Sequence, residues 1–292
     1  MRTYFDCIPC FVRQVLDSVR MTTDDIRLHE KVLREALHMA SKMDLRQSPP
    51  AMAQKIHRFI RETTGISDPY LDVKNRFNKL ALQMYPALRE RIDASEDPIE
   101  AAVRLAIAGN IIDFGVNTAV EPGQVERTIA ESLTDPLDRQ SLEAFKDAVS
   151  HAEKMLYLGD NAGEIVFDRL LIERLPCEKI TFVVKGGPIL NDAVMEDAQI
   201  IGLTDLVEVI DNGSDAPGTV LENCSEAFRR RFDESDLVIS KGQGNCETLS
   251  DIDKNIFFLV RPKCNVLARH LGREIGSLVL LESNHYHFTE RS

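Results

Sequence analysis

Six short apolar runs in the second half of the chain constrain the fold more than any other feature of the sequence. Each run has the length of a buried strand, and helical stretches such as 165–175, 220–232 and 266–271 lie between most of them. Strands that alternate with helices predict right-handed β-α-β units and a mainly parallel sheet. The six runs are Met155–Leu158, Ile180–Val184, Leu206–Ile210, Leu237–Ile239, Ile256–Val260 and Ser277–Leu281.

Residues 1–150 instead carry apolar side chains at helical spacing. Asp97-Pro98 predicts the start of one helix, because aspartate is a preferred N-cap and proline is favoured at the first helical position. Another helix around Leu80–Met84 is predicted to end before Pro86, which would break it. We therefore predict an α/β protein with a helical N-terminal domain, residues 1–150, and an α/β domain, residues 151–292.

Charge and composition exclude several classes of partner. The chain has 292 residues and a formal net charge of −12, which repels nucleic acids and anionic membranes. It has no apolar run of roughly 18 residues that could span a membrane, and its first residues lack the apolar segment of a signal peptide. Six cysteines in a chain of this length do not indicate a disulfide framework. A cytoplasmic location is expected, whereas the oligomeric state is left open.

Oxygen-bearing side chains follow the first two predicted strands. Asp160 and Asn161 come directly after the first strand, and Asp192 lies in the loop after the second. Parallel strands end at one edge of the sheet, where open α/β folds bind their ligands. Two carboxylates and an amide oxygen suit a hard divalent cation such as Mg²⁺ or Mn²⁺. The alternative interpretation of Gly159–Gly163 is an ordinary turn, since glycine, aspartate and asparagine are all turn formers.

Cationic side chains and glycines follow the strands at the same edge. Lysine ammonium groups and the backbone amides of a glycine-rich loop can bind a phosphoryl group and stabilise its charge. The sequence therefore predicts a metal-assisted phosphate site. The residues expected to contact phosphate are Lys185, Lys241, Gly242, Gln243, Gly244, Asn245 and Lys263.

Other catalytic motifs are missing from the sequence. It contains no nucleotide-binding P-loop, no H-E-x-x-H zinc motif, no G-x-S-x-G nucleophile motif and no Asp-x-Asp after a strand. Two further readings remain open. One is a methyltransferase that uses the glycines around Asp160 to approach its cofactor, and the other is a non-catalytic protein that binds a metal or a metabolite.

The cysteines and the C-terminal histidines leave several interpretations open. Cys7 and Cys10 form a C-x-x-C without a second such pair, and Cys246 and Cys264 could approach it in space. Thiols without a special role, a structural metal site and a redox pair are the alternatives. His285 and His287 could bind a metal, although a loose terminus is the simpler expectation.

A series of motifs in a fixed order resembles the DUF89 family, the ARMT1-like damage-control phosphatases, over nearly the whole chain. The resemblance is greatest to the stand-alone archaeal and bacterial branch, which has an N-terminal C-x-x-C. The matching segments are Cys7–Cys10, Ala108–Gly115, Gly159–Glu164, Val184–Asp192, Ser240–Asn245 and Pro262–Cys264.

The resemblance implies a helical region followed by a Rossmann-like domain, and a phosphatase that acts on small phosphorylated metabolites. It implies that Asp160, Asn161 and Asp192 bind a divalent metal, with Mn²⁺, Mg²⁺, Co²⁺ and Ni²⁺ as candidates. Asp160, Asp192 and Lys241 would be catalytic, with Asp160 as metal ligand and as nucleophile or general base.

Three further residues fall within the family motifs. Asn110 and Asp113 would either reach the substrate or pack between helices, and Glu164 would support the metal ligands or stabilise the first turn of its helix. The Arg-Thr-Ser-Lys signature of eukaryotic relatives is absent. Their preference for sugar phosphates is therefore not transferred.

Overall fold

The computed structural model describes residues 1–109 and 131–283. Helices form the described chain before residue 152. Three of them begin at an aspartate, Asp25, Asp97 or Asp138, whose side chain accepts a hydrogen bond from a backbone N–H of the first turn. The helices are α1 (Cys7–Thr22), α2 (Ile26–Lys42), α3 (Pro49–Thr64), α4 (Leu71–Asp93), α5 (Pro98–Ala108) and α6 (Arg139–His151).

Helix α4 is longer than the sequence predicts. The expectation that it ends before Pro86 is wrong, because the helix continues to Asp93 with the proline in its interior. Leu88 and Ile92 lie beyond the proline and are buried. Burial of each stabilises the fold by about 1.5–3 kcal/mol, which offsets the cost of about 3 kcal/mol for proline inside a helix.

Strands and helices alternate in the second part of the chain. The predicted helix over 220–232 is divided, because a turn of 3₁₀ helix at Leu221–Asn223 is followed by a new helix capped by Ser225. The elements are β1 (Met155–Leu158), α7 (Glu164–Ile172), β2 (Ile180–Val184), α8 (Met195–Ile200), β3 (Glu208–Asp211), α9 (Glu226–Glu234), β4 (Leu237–Lys241), α10 (Gly242–Leu249), β5 (Ile256–Val260), α11 (Asn265–His270) and β6 (Val279–Glu282).

The strands form one sheet in the order β3-β2-β1-β4-β5-β6. Neighbouring strands are parallel except β6, which runs antiparallel to β5. The predicted α/β class with a mainly parallel sheet is therefore confirmed. The strand order reverses at β1, which lies between β2 and β4. A crevice at the carboxyl end of such a switch point is where open sheets bind ligands.

The helical part packs directly on the sheet. Leu105 of α5 and Phe167 of α7 share one buried cluster with Tyr157 of β1, and helices α9 to α11 cover the other face of the sheet. Helices α1 to α3 enclose a further cluster. The domain division at residue 150 stays a prediction. Within the described residues, none of the helices combines the length and the apolar character needed to cross a bilayer. The cytoplasmic location also stays a prediction.

Candidate metal and phosphate site

Gly159 shapes the turn that carries Asp160 and Asn161. Its N–H donates to the Val183 carbonyl at 3.0 Å, which extends the pairing of β1 with β2 by one residue. A Cβ at this position would lie 2.6 Å from the Phe182 ring, so only glycine lets the chain turn here. Asp160 and Asn161 therefore leave the sheet at the tip of its central strand.

The loop that carries Asp192 is hydrogen-bonded to this turn. The Ala193 N–H donates to the Asp160 carbonyl at 2.8 Å, and Asn161 and Asp192 form an isolated β-bridge. The side chains of Asp160, Asn161 and Asp192 are all buried. The structure therefore brings together the three predicted metal ligands.

Glu164 fixes the orientation of the Asn161 amide. Asn161 Nδ2 donates to Glu164 Oε2 at 2.8 Å and to Asp160 Oδ2 at 2.9 Å. Both bonds use the amide nitrogen, which leaves Oδ1 as the acceptor that could face a cation. Glu164 lies at the start of α7 and is buried. Glu164 thus orients the side chain of Asn161, which agrees with the expectation that it supports a metal ligand.

Lys241 is held inside the protein by three hydrogen bonds. Its ammonium donates to the Ala106 carbonyl at 2.7 Å, to Glu164 Oε1 at 2.7 Å and to Asp168 Oδ1 at 2.6 Å. Burial alone would lower the pKa of Lys241, but the two carboxylates outweigh it, so the pKa lies above its ordinary value and the group stays charged. The predicted contact of Lys241 with phosphate stays a prediction, and it would require the loss of one of these bonds.

Asp168 is a site residue that the sequence interpretation missed. It accepts a second hydrogen bond, from the Tyr157 hydroxyl at 2.8 Å, and its side chain is fully buried. Burial raises the pKa of Asp168 to about 6 against the attraction of the Lys241 ammonium, which it shares with Glu164. Its spacing of four residues from Glu164, one helical turn, was the signal available in the sequence.

Lys185 and Asn245 connect three of the loops. The Lys185 ammonium donates to the Gly218 carbonyl at 2.8 Å and lies 3.5 Å from Asp192 Oδ2. Asn245 Nδ2 donates to the carbonyls of Gly159 at 3.2 Å and Lys241 at 2.8 Å. Asn245 therefore fixes the end of β1 against the start of α10, and Lys185 places a positive charge beside Asp192. Their predicted contacts with substrate stay predictions.

The glycine-rich start of α10 lies against the Asp160 carboxylate. A Cβ on Gly242 would stand 1.9 Å from Asp160 Oδ2, and one on Gly244 would stand 2.9 Å from the Pro217 carbonyl oxygen. The Gln243 side chain is engaged away from this point, since it donates to Glu247 Oε1 at 2.7 Å and accepts from the Lys263 N–H at 3.2 Å. The predicted substrate contacts of 242–244 stay predictions.

The charges around Asp160 favour a bound cation. Burial and the nearby carboxylates of Glu164 and Asp192 raise the pKa of Asp160 well above its ordinary value, although Lys185 and the exposed Lys263 act in the opposite direction. Two buried carboxylates and an oriented amide are the donors that Mg²⁺ or Mn²⁺ accepts alongside water and phosphate oxygens. Among residues 1–109 and 131–283, no group of three or more histidine, cysteine, aspartate or glutamate side chains could hold a metal. The Asn161 amide would therefore be an essential member of the set.

Four predicted residues lie outside the described part of the chain, namely Asn110, Asp113, His285 and His287. The cysteines are all free within it. Burial raises the pKa of Cys7 to about 11 and also raises that of Cys10. A reactive redox pair requires a lowered thiol pKa, so these values disfavour the redox alternative, whereas unreactive thiols and a structural metal site both stay predictions.

Comparison with known proteins gives a consistent result. The damage-control phosphatase ARMT1-like domain matches residues 3–279. A damage-control phosphatase of Archaeoglobus fulgidus is 36% identical over 284 residues, which cover 94% of this chain and 96% of the relative. A damage-control phosphatase of Pyrococcus horikoshii is 32% identical over 292 residues, 97% of this chain and 99% of the relative.

The fold agrees with this relationship. The crystal structure of a DUF89 family protein from Pyrococcus horikoshii has a TM-score of 0.88 and 32% sequence identity, and the alignment covers 97% of this chain and 99% of that one. The predicted resemblance is confirmed, and the names of the relatives support a phosphatase role. By sequence and by fold, the chain belongs to the damage-control phosphatase ARMT1-like family.

Proposed function

We propose that the protein is a divalent-metal-dependent phosphomonoesterase that acts on small phosphorylated metabolites in damage control. The observation that carries the proposal is the meeting of Asp160, Asn161 and Asp192 at the switch point of the sheet, with Lys185 beside them. Relatives named damage-control phosphatases support the reaction class over the methyltransferase alternative.

The three ligands would hold the metal through the carboxylates of Asp160 and Asp192 and through Oδ1 of Asn161. A bound Mg²⁺, Mn²⁺, Co²⁺ or Ni²⁺ supplies Lewis-acid neutralisation of phosphoryl charge. Glu164 keeps Oδ1 of the amide available by accepting from Nδ2. Lys241 in turn holds Glu164 in place. In this proposal Lys241 acts by positioning Glu164 rather than by touching phosphate.

The phosphoryl group would lie between the ligands and the start of α10. Lys185 and Lys263 supply positive charge near Asp160. The backbone amides of Gly242–Gly244, next to the Asp160 carboxylate, would stabilise charge on the phosphoryl oxygens. Asp160 then acts either as the nucleophile or as the base that accepts a proton from the attacking water. Acid quenching during turnover of a ³²P-labelled substrate separates the two, because only nucleophilic attack leaves label on the protein.

The proposal is tested by phosphate release from the purified, chelator-stripped protein. An aryl phosphate and panels of sugar and nucleotide phosphates are offered with each of the four metals, and Asp160→Ala is compared with Asp253→Ala, which changes an exposed aspartate. Turnover that requires a metal and is lost in Asp160→Ala alone is expected. Metal binding without turnover of any ester would instead support a non-catalytic binding protein. Full activity in Asp160→Ala would refute the site.

A further inference from the structure

Asn78 of helix α4 connects the two loops that carry the predicted metal ligands, namely the Asp160–Asn161 turn and the loop of Asp192. Its side chain is fully buried. Oδ1 accepts from the Gly163 N–H at 2.7 Å, and Nδ2 donates to Asp197 Oδ1 at 2.7 Å. One asparagine therefore satisfies a backbone group of the Asp160–Asn161 turn and a carboxylate at the start of α8.

Asp197 extends this connection to the loop that carries Asp192. Its Oδ2 accepts from the Val194 N–H at 2.9 Å, two residues after the predicted metal ligand. The Lys74 ammonium lies 3.3 Å from the same oxygen and 2.7 Å from Asp68 Oδ2. Asp197 thus shares the Lys74 ammonium with Asp68, and its carboxylate orients the loop by hydrogen bonding.

Helix α4 touches the turn closely at the same point. A Cβ on Gly163 would lie 2.9 Å from Phe77 Cβ and 3.1 Å from the Phe77 carbonyl oxygen, and the glycine has a φ of +78°. The helix surface and the turn are therefore in direct contact, and a shift of one moves the other. Backbone hydrogen bonds connect the two loops directly, from Ala193 N–H to the Asp160 carbonyl and from Ala162 N–H to the Asn191 carbonyl, and Asn78 with Asp197 adds a separate side-chain connection.

We propose that Asn78 is a positioning residue that fixes Asp160 and Asn161 relative to Asp192 and thereby sets the metal affinity of the site. This inference rests on the proposed function, and it makes the helical region part of the active site. Without Asn78, the loops keep their backbone hydrogen bonds but lose the side-chain connection that holds both of them against α4. The donor atoms then meet at varying distances, which weakens the binding of a divalent cation, because residues that orient metal ligands contribute to metal affinity.

The test is a calorimetric Mn²⁺ titration of the chelator-stripped protein, with kcat and KM measured on the ester that the wild type hydrolyses best. Asn78→Ala is expected to bind Mn²⁺ about tenfold more weakly, as found for residues that support metal ligands indirectly. Asn78→Asp keeps an acceptor for the Gly163 N–H but places a carboxylate against Asp197, and it should also bind weakly. The double variant Asn78→Asp/Asp197→Asn restores one amide and one carboxylate and should recover most of the affinity.

Ser283→Ala is the matched control for lost stability. The Ser283 hydroxyl, just after β6, accepts from the Ile256 N–H and donates to the Lys254 carbonyl, so it also connects two segments of the chain. This connection lies at the start of β5, at the end of the sheet opposite to the site. It should lower stability without changing the Mn²⁺ affinity.

If Asn78→Ala and Asn78→Asp both bind Mn²⁺ with wild-type affinity, the positioning role is overturned while the proposed function stays intact. If Asn78→Ala does not fold, failure of the double variant to bind more tightly than Asn78→Asp would overturn it equally. A wild-type protein that binds no divalent metal would refute both the role of Asn78 and the proposed function.

Discussion

The substitution Gly242→Ala tests the site with a single added methyl group. The new Cβ would stand 1.9 Å from Asp160 Oδ2 and 2.3 Å from its Cγ, whereas real contacts of this kind essentially never fall below 3.0 Å. The carboxylate must therefore retreat by about 1 Å, a displacement that can cost about 100-fold in rate when it affects a reacting group. The φ of +80° at Gly242 adds a backbone cost of about 1–2 kcal/mol for alanine.

Gly65→Ala separates the two effects. Gly65 ends helix α3 with a φ of +72°, and a Cβ there would meet nothing within 4 Å. This control carries the same backbone cost without the collision. We expect Gly65→Ala to lose about 1–2 kcal/mol of unfolding free energy in urea and Gly242→Ala to lose more, because overpacking adds about 1–3 kcal/mol. Only Gly242→Ala should lose about 100-fold in kcat/KM.

A second measurement reports directly on the metal. Mn²⁺ at 100 times its Kd stabilises a protein that binds it only when folded by about 2.7 kcal/mol. Wild type and Gly65→Ala should show this stabilisation in full, and Gly242→Ala should show much less. If Gly242→Ala keeps the kcat/KM and the metal-induced stabilisation of Gly65→Ala, then Asp160 is not a ligand of the metal.

Three further predictions concern ionisable groups that are buried or partly buried. Lys241→Met leaves the carboxylates of Glu164 and Asp168 buried without their ammonium partner. It should cost about 3–5 kcal/mol of unfolding free energy, measured in urea at pH 7. A loss below about 1 kcal/mol would contradict a buried ion pair between Lys241 and these two carboxylates. Burial lowers the pKa of His57 from 6.5 to about 3, so stability is complete above pH 6.5 and falls by up to about 1.4 kcal/mol per pH unit below it. His57→Leu should remove that part of the slope, and an unchanged slope between pH 6.5 and 4 would refute the assignment. Partial burial raises the pKa of Cys7 to about 11, which lowers its thiolate fraction at pH 8 about 100-fold, although the more basic thiolate is about tenfold more nucleophilic. Its alkylation by iodoacetamide at pH 8, followed by mass spectrometry, should therefore be about tenfold slower than that of a free cysteine, and labelling at the free rate would contradict the raised pKa.

That the three predicted metal ligands lie together could be predicted because it depends on topology. Asp160 and Asn161 directly follow β1, and Asp192 lies in the loop after β2, so parallel pairing of the two strands places all three at one edge. No side-chain geometry was needed for that step. The orientation of the Asn161 amide could not be predicted in this way, since it depends on a single hydrogen bond from Nδ2 to Glu164.

The environment of Lys241 was missed because the predicted fourth strand ended two residues early. The strand continues from Leu237 to Lys241, so the lysine follows the alternation of the strand and shares the face of Leu237 and Ile239. That face of the strand packs against α5 and α7, where the Lys241 ammonium donates hydrogen bonds to Glu164 and Asp168. A loop residue would have been free to turn towards the crevice, whereas a strand residue at this position points into the core.

Asn78 was beyond the reach of the sequence for a different reason. It lies in a helix far from the sheet in sequence, and its partners Gly163 and Asp197 are 85 and 119 residues away. Periodicity identifies a polar residue inside a helix, but it does not show what packs against that residue. Only the docking of α4 on α7 brings the amide into contact with both Gly163 and Asp197.

The local charges connect the acidic composition of the chain with the proposed chemistry on an anionic substrate. Four buried carboxylates lie at or beside the site within the described residues, and the ammonium groups of Lys185 and Lys241 contact three of them. Burial raises the pKa of Asp160 and of Asp168, and neighbouring carboxylates act in the same direction. In the proposed function a bound divalent cation would offset part of this negative charge, so that a phosphate could approach despite the net charge of −12. The four carboxylates are Asp160, Glu164, Asp168 and Asp192.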